Sequence, residues 1–215
     1  MEELTLYIGN KNYSSWSFRP WIALTAAGVP FREHLIPFDF PAGNPLFRDI
    51  SPTGRVPVLH HGPLRIWESL AIIEYAAELF PDRALWPARR DDRAVARSIS
   101  AEMLSGFRAL RGACPMNIRR EKRRISLPDG VMEDVERISA IWKECCEKSG
   151  GPYLFGPFSA ADAMFAPVVN RFDVYDLVRD AEVLAYMEAV KSHPAWIRWC
   201  EGALEETWIV PEDEA

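Results

Sequence analysis

Pro57, in the run Arg55-Val56-Pro57-Val58-Leu59, constrains this chain most, because of what flanks it. Residues 56–59 read as a short apolar strand, His60-His61-Gly62-Pro63 as a turn cluster, and Leu64-Arg65-Ile66 as a returning strand. The pair is a hairpin. Glu68-Ser69 then opens an apolar helix over 68–80. Proline has no N–H to give a ladder, so it belongs at a sheet edge or in a cis bend. A cis Val56–Pro57 bond would turn free backbone groups toward a cleft, where a peptide-like ligand can pair as an extra strand. The helix start at Ser69 offers unpaired N–H groups to a carboxylate. A strand edge beside an anion site suits a short acidic peptide.

The 215 residues suffice for one or two domains with a sizeable core. A net charge of −6 argues against a dedicated nucleic-acid binder. No apolar run reaches the length of a membrane span, and the acidic start Met1-Glu2-Glu3-Leu4 lacks a signal-peptide pattern. Cys114, Cys145, Cys146 and Cys200 form no CxxC pair and read as free thiols in a reducing cytoplasm. His34, His60, His61 and His193 show no spacing for zinc, so no metal is expected.

Leu4-Thr5-Leu6-Tyr7-Ile8 alternates and reads as a first strand, 17–27 as a helix stopped by Gly28, and 31–36 as a second strand. Residues 37–45, with three prolines and a glycine, read as a loop, and 47–50 as a helical turn. With the hairpin and its helix, the order is βαβαββα. This is the thioredoxin-like order, a parallel crossover followed by an antiparallel hairpin. Residues 81–87 read as a linker, after which strand signals nearly vanish. Helices are expected over 89–111, 129–148, 159–178, 182–190 and 194–206. The expectation is an α/β thioredoxin-like domain over 1–80, a linker over 81–87, and an all-α domain over 88–215.

Tyr13-Ser14-Ser15-Trp16-Ser17-Phe18-Arg19 joins the first strand to the first helix, next to the proline bend in such a fold. A serine here can donate its hydroxyl to an anion, and the helix N-terminus adds favourable potential. For a ligand that carries a thiol, which alone titrates at about 8.5, such a donor would help to hold the thiolate. Serine is too weak a base to take the proton; its use is a hydrogen bond to the sulfur anion. It also serves simply as an N-cap.

Ser14-Ser15-Trp16-Ser17-Phe18-Arg19 resembles the Ser-Ser-Cys-Ser-x-Arg motif of the zeta class of cytosolic glutathione transferases, which includes maleylacetoacetate isomerases. The likeness covers essentially the whole chain. It implies the glutathione transferase fold and a site for glutathione as co-substrate. By motif, Ser14 matches the serine facing the sulfur, and Ser15 its neighbour at the site. Val56 matches the backbone partner of the cysteinyl unit and Pro57 the cis-proline. Glu68 and Ser69 match the residues holding the γ-glutamyl amine and carboxylate. Arg48 lies where the class places a polar contact to the peptide. Trp16 replaces the motif's cysteine, either beside the second-substrate pocket or in the core.

Phe158-Ser159-Ala160-Ala161-Asp162 has capping-box spacing ahead of a long apolar helix and is a folding element. The arginine-rich run 108–124 is a solvated face or a pocket rim that attracts an anion. Cys114-Pro115 interrupts the helical pattern there, and Arg111 and Asn117 are candidates for the second-substrate pocket. The resemblance implies an enzyme that adds glutathione to a small electrophile, acting as a cytoplasmic homodimer without nucleic-acid or membrane partners. A glutathione-dependent maleylacetoacetate-type cis–trans isomerase and a non-catalytic binding protein of the same fold are the alternatives.

Overall fold

The computed structural model describes residues 2–38 and 44–214. Most of the loop expected over 37–45 lies outside them. Among the described residues, one four-stranded sheet has the order β2-β1-β3-β4, from β1 (Leu4–Ile8), β2 (Arg32–Leu35), β3 (Val58–His61) and β4 (Leu64–Trp67). β1 runs parallel to β2, with Thr5 opposite Arg32, and antiparallel to β3, with Leu6 opposite Leu59. The parallel pair needs a crossover, which α1 (Ser15–Ala26) supplies. α2 (Leu46–Ile50) and α3 (Ser69–Leu79) complete the expected order. The helical remainder comprises α4 (Arg90–Ser105), α5 (Arg108–Ala113), α6 (Val131–Ser149), α7 (Ala160–Val174), α8 (Ala181–Lys191) and α9 (Pro194–Glu205). No helix among the described residues is long and apolar enough to cross a membrane.

The hairpin is tighter than its sequence implied. His60 and His61 belong to β3, paired with Arg65 and Leu64, and the turn is Gly62-Pro63 alone. Gly62 supplies the positive φ, 56°, that a two-residue turn takes at its first position. Val56 and Pro57 precede β3 instead of opening it, and the bond between them is cis.

The single helix expected over 89–111 is two helices. α4 stops at Gly106, where a Cβ would come within 2.8 Å of the Glu102 carbonyl oxygen, and Phe107 takes a left-handed φ of 54°. The break is closed from both sides. Arg111 Nη1 donates to the carbonyls of Leu104 and Gly106, each at 3.1 Å, while Asp134 of α6 accepts from the Leu110 N–H at 3.0 Å. These side chains replace the turn-to-turn bonds a continuous helix would make.

α1 is the joint of the molecule. Phe18 stacks on Trp199 of α9 at 4.6 Å between ring centroids, and Trp21 meets the same ring edge-on at 5.1 Å. Phe18 and Trp21 are essentially buried, so each withdraws a large apolar surface worth about 1.5–3 kcal/mol. Arg19 Nε reaches across to the Met164 carbonyl of α7 at 3.0 Å. The helix that opens at the serine motif is thereby fixed against α7 and α9.

Candidate active site

The loop before α1 is held by contacts distant in sequence. Glu206, just past α9, accepts from the Lys11 N–H at 2.5 Å and the Asn12 N–H at 3.1 Å. Burial raises the Glu206 carboxyl above its usual range, while those N–H groups and the nearby Arg119 and Lys11 charges oppose the shift. Asn12 is bolted to the segment after α5, donating to Asn117 Oδ1 at 3.0 Å and accepting from the Arg119 N–H at 2.8 Å. Glu206→Gln removes one of two acceptors and should cost about 1–3 kcal/mol. A thermal melt reads the loss; an unchanged midpoint would free the loop from Glu206.

Ser14 caps α1. Its Oγ accepts from the Ser17 N–H at 3.3 Å and donates to Ser17 Oγ at 2.8 Å. Ser17 Oγ in turn accepts from the Gly9 N–H at 3.1 Å. The Ser14 proton, expected to face a sulfur, is therefore spent inside the cap. Ser15 occupies the first helical position, lines the cavity described next, and has no side-chain hydrogen bond among the described residues.

Two clefts meet at Trp16 and Val56, which line both. The smaller, about 120 Å³, also brings Pro57, Glu68, Arg55 and Trp67 together. Glu68 sits at the entry to α3 with a φ of 68°, unusual for a residue with a side chain. Backbone held in that region is a mark of functional sites. Ser69 follows, fully buried, and its hydroxyl donates to the Trp16 carbonyl at 2.6 Å. That proton is not free for a carboxylate, so the group α3 can present there is its first-turn backbone N–H set. Arg48 is exposed on α2 and lines neither cleft.

The larger cleft, about 640 Å³, is walled by Ser14 and Ser15, by Leu104 at the end of α4, by Arg108 and Arg111 of α5, and by Arg171 of α7. Asp213 of the C-terminal segment closes another side. Trp16 is half-buried, with the Arg19 and Arg111 guanidinium carbons 4.6 and 4.8 Å from its ring centroid. It thus belongs to the pocket wall as well as to the packing. Asn117 corrects the expectation for the second pocket: it is 1% exposed and does not line it. Its amide nitrogen donates to Glu214 Oε1 at 3.0 Å, and its backbone N–H to Asn170 Oδ1 at 3.1 Å, so it is a buried junction.

Other candidates for the reacting group fail on chemistry. Tyr13 also lines the large cleft, but its hydroxyl donates to Glu214 at 2.5 Å and accepts from Arg119 Nη2 at 3.0 Å. Burial and the Glu214 bond raise its pKa further from neutrality. Burial likewise pushes the Cys114 and Cys145 thiols up to about 11 and those of Cys146 and Cys200 to about 12. None of the four is a thiolate at neutral pH. A thiol reaction at this site needs a thiol brought in by a ligand. Among the described residues, no group of three or more His, Cys, Asp or Glu side chains could hold a metal ion.

The family models for the glutathione S-transferase N-terminal and C-terminal domains match residues 13–79 and 94–202. The chain belongs to the glutathione S-transferase family. Glutathione S-transferase 1 of Dianthus caryophyllus is 32% identical over 122 residues, 56% of this chain and 54% of that one. The chain thus spans about half the length of that relative. A probable maleylacetoacetate isomerase of Caenorhabditis elegans is 29% identical over 192 residues, covering 86% of this chain and 87% of the other. A glutathione transferase homolog from Burkholderia, solved with bound glutathione, superposes with a TM-score of 0.73 at 24% identity, over 96% of this chain and 100% of that one. This family member therefore has the expected fold.

Sequence reasoning missed Glu206, Arg171 and Asp213. Arg171 left one signal: it is a charged residue inside a largely apolar, buried helix, where charges are rarely buried unpaired.

Proposed function

We propose that this glutathione S-transferase binds glutathione in the small cleft and adds its thiolate to an electrophile held in the large one. The observation that carries this reading is the junction of the two clefts at Val56 and Trp16, beside the free hydroxyl of Ser15. The backbone at Val56, ahead of the cis proline and outside the β3 pairing, suits pairing with the peptide's own backbone. Glu68 suits its amino group, and the α3 N-terminus its α-carboxylate. The sulfur would then lie near Ser15 and the first N–H groups of α1. A hydroxyl donor and a helix N-terminus both favour the anion, lowering the thiol pKa toward neutrality. The protein's further contribution is to orient two bound reactants. Ser14 acts one step back, holding the α1 cap in place. A homodimer formed through the α3 and α4 faces, in the cytoplasm, belongs to the same reading.

The alternative, a glutathione-dependent cis–trans isomerase, is favoured by the likeness to the C. elegans protein. There the thiolate adds reversibly, the former double bond rotates, and glutathione departs unchanged. Thiol titration during turnover separates the two. We expect one thiol lost for each chloride released from 1-chloro-2,4-dinitrobenzene, and a Michaelis constant for glutathione raised about tenfold in Glu68→Ala, as loss of one charged hydrogen bond implies. Release of a trans diacid from a maleyl substrate without thiol loss, and no chloride release, would reverse the assignment.

A further inference from the structure

Several arginines at the surface sit in ion pairs. At the surface, Arg97 meets Glu74 at 2.8 Å, Arg137 meets Glu102 at 2.8 Å, and Arg124 meets Asp176 at 2.9 Å. The arginines around the large cleft have no such partners. None of the ion pairs among the described residues involves Arg19, Arg108, Arg111 or Arg171. Arg171 is only 4% exposed, yet its one hydrogen bond runs from Nε to the Cys114 carbonyl at 2.8 Å. Its Nη1 is buried without a partner, as are both terminal nitrogens of Arg19. Arg111 spends Nη1 on the Leu104 and Gly106 carbonyls, and its side chain has no other hydrogen bond among the described residues.

Burying a guanidinium without an acceptor is costly, and an unsatisfied one in a cleft wall calls for an explanation, of which a bound ligand is one. A purely structural role for Arg171 would account for Nε alone. The field in the cleft points the same way: three arginines line it against a single carboxylate, Asp213. Burial and, after it, the Arg111 charge lower the Arg171 guanidinium's hold on its proton, while burial and then Arg108 do the same to Arg111, and an anion among these arginines would relieve the repulsion. Trp16, beside Arg111 in the same wall, offers a flat apolar face next to the charge.

We infer that the large cleft selects an electrophile bearing a carboxylate on a flat unsaturated or aromatic body, with Arg171 and Arg111 taking the carboxylate. This rests on the conjugation reading and narrows it to a substrate class. Arginine suits the task because its planar fork can meet both carboxylate oxygens. The anchored anion would fix the body against Trp16 with its reactive carbon toward the sulfur. With an aryl chloride, the thiolate sulfur bonds to the carbon bearing chlorine, the ring and its nitro group hold the transient charge, and chloride leaves with the bonding pair.

The test compares 4-chloro-3-nitrobenzoate with its methyl ester, each rate referred to that compound's uncatalysed reaction with glutathione. The wild type is expected to favour the benzoate at least tenfold in kcat/KM. Arg171→Gln and Arg111→Gln should each lower that preference at least tenfold, chiefly through KM. Arg111→Gln alters a half-exposed side chain, so it keeps the test decisive should Arg171→Gln fail to fold. Turnover of both compounds without preference, or a preference intact in the variants, overturns the inference. If neither compound reacts, conjugation fails, and calorimetry of unreactive 3-nitrobenzoate with S-methylglutathione present judges the anion site alone. Binding to the wild type that weakens at least tenfold in the variants sustains it; equal binding overturns it.

Discussion

Ser15→Ala should slow conjugation about a hundredfold at pH 7, the scale set by losing one preorganised donor to a developing or bound anion. Glutathione affinity should change far less, because the hydroxyl favours the thiolate over the thiol and does little for the peptide. Without the donor, the bound thiol's pKa rises, the thiolate fraction at pH 7 falls, and the rise of the pH–rate profile moves to higher pH. Each unit of that move corresponds to about 1.4 kcal/mol of lost anion stabilisation. Activity should therefore recover in part at alkaline pH. Ser14→Ala should behave differently. Its hydroxyl is bonded to the Ser17 amide and hydroxyl, so the loss is that of a helix cap, about 1 kcal/mol of stability. Its pH profile should stay close to that of the wild type. A displaced profile for Ser14→Ala with none for Ser15→Ala would exchange the two roles. Two unmoved profiles would leave the sulfur to the α1 backbone N–H groups.

The features legible in the sequence were those that local chemistry dictates. Val56-Pro57 could be read because a proline missing its N–H beside a hairpin has few places to go. The serine motif could be read because a strand running into a helix must be capped. The break at Gly106 escaped notice because apolar spacing continues across it from Met103 to Leu110. Only the closure by Arg111 and Asp134, one residue on each side of the fold, makes two helices preferable to one. The site's supports were illegible for a related reason. Glu206 reaches the loop before α1 from 195 residues away, and a sequence carries no sign of which carboxylate turns inward. Arg171 was hidden differently: its helix reads as ordinary core, and its meaning comes from the arginines of α5 that the broken helix delivers to the same cleft. Asn117 was drawn to the pocket by its place beside the proline break, but an amide with four bonding positions was more useful as a buried junction.

Asp162→Ala should destabilise the protein by about 4 kcal/mol, near the top of the range for one substitution. The side chain is fully buried at the head of α7, and all its acceptor capacity is used. Oδ1 takes the Leu154 N–H at 3.0 Å and the Tyr186 hydroxyl at 3.2 Å; Oδ2 takes the Ser159 N–H and hydroxyl, both at 2.8 Å. Alanine strands these donors away from water at about 1–3 kcal/mol each. For a domain of this size the melting point should fall roughly 8–16 °C. Asp162→Asn keeps one acceptor oxygen and should fall between. The pH dependence separates charge from bonding. Burial pushes the Asp162 carboxyl up to about 6, against the pull of its four donors, whereas an unfolded aspartate titrates at about 3.9. A raised folded pKa means that the extra stability is fully present below about pH 4 and is lost as pH rises through 6, some 3 kcal/mol in all. The wild type's advantage over Asp162→Asn should therefore narrow between pH 4 and pH 8. An advantage that widened over that interval would mean that the four donors outweigh burial and hold the carboxylate charged.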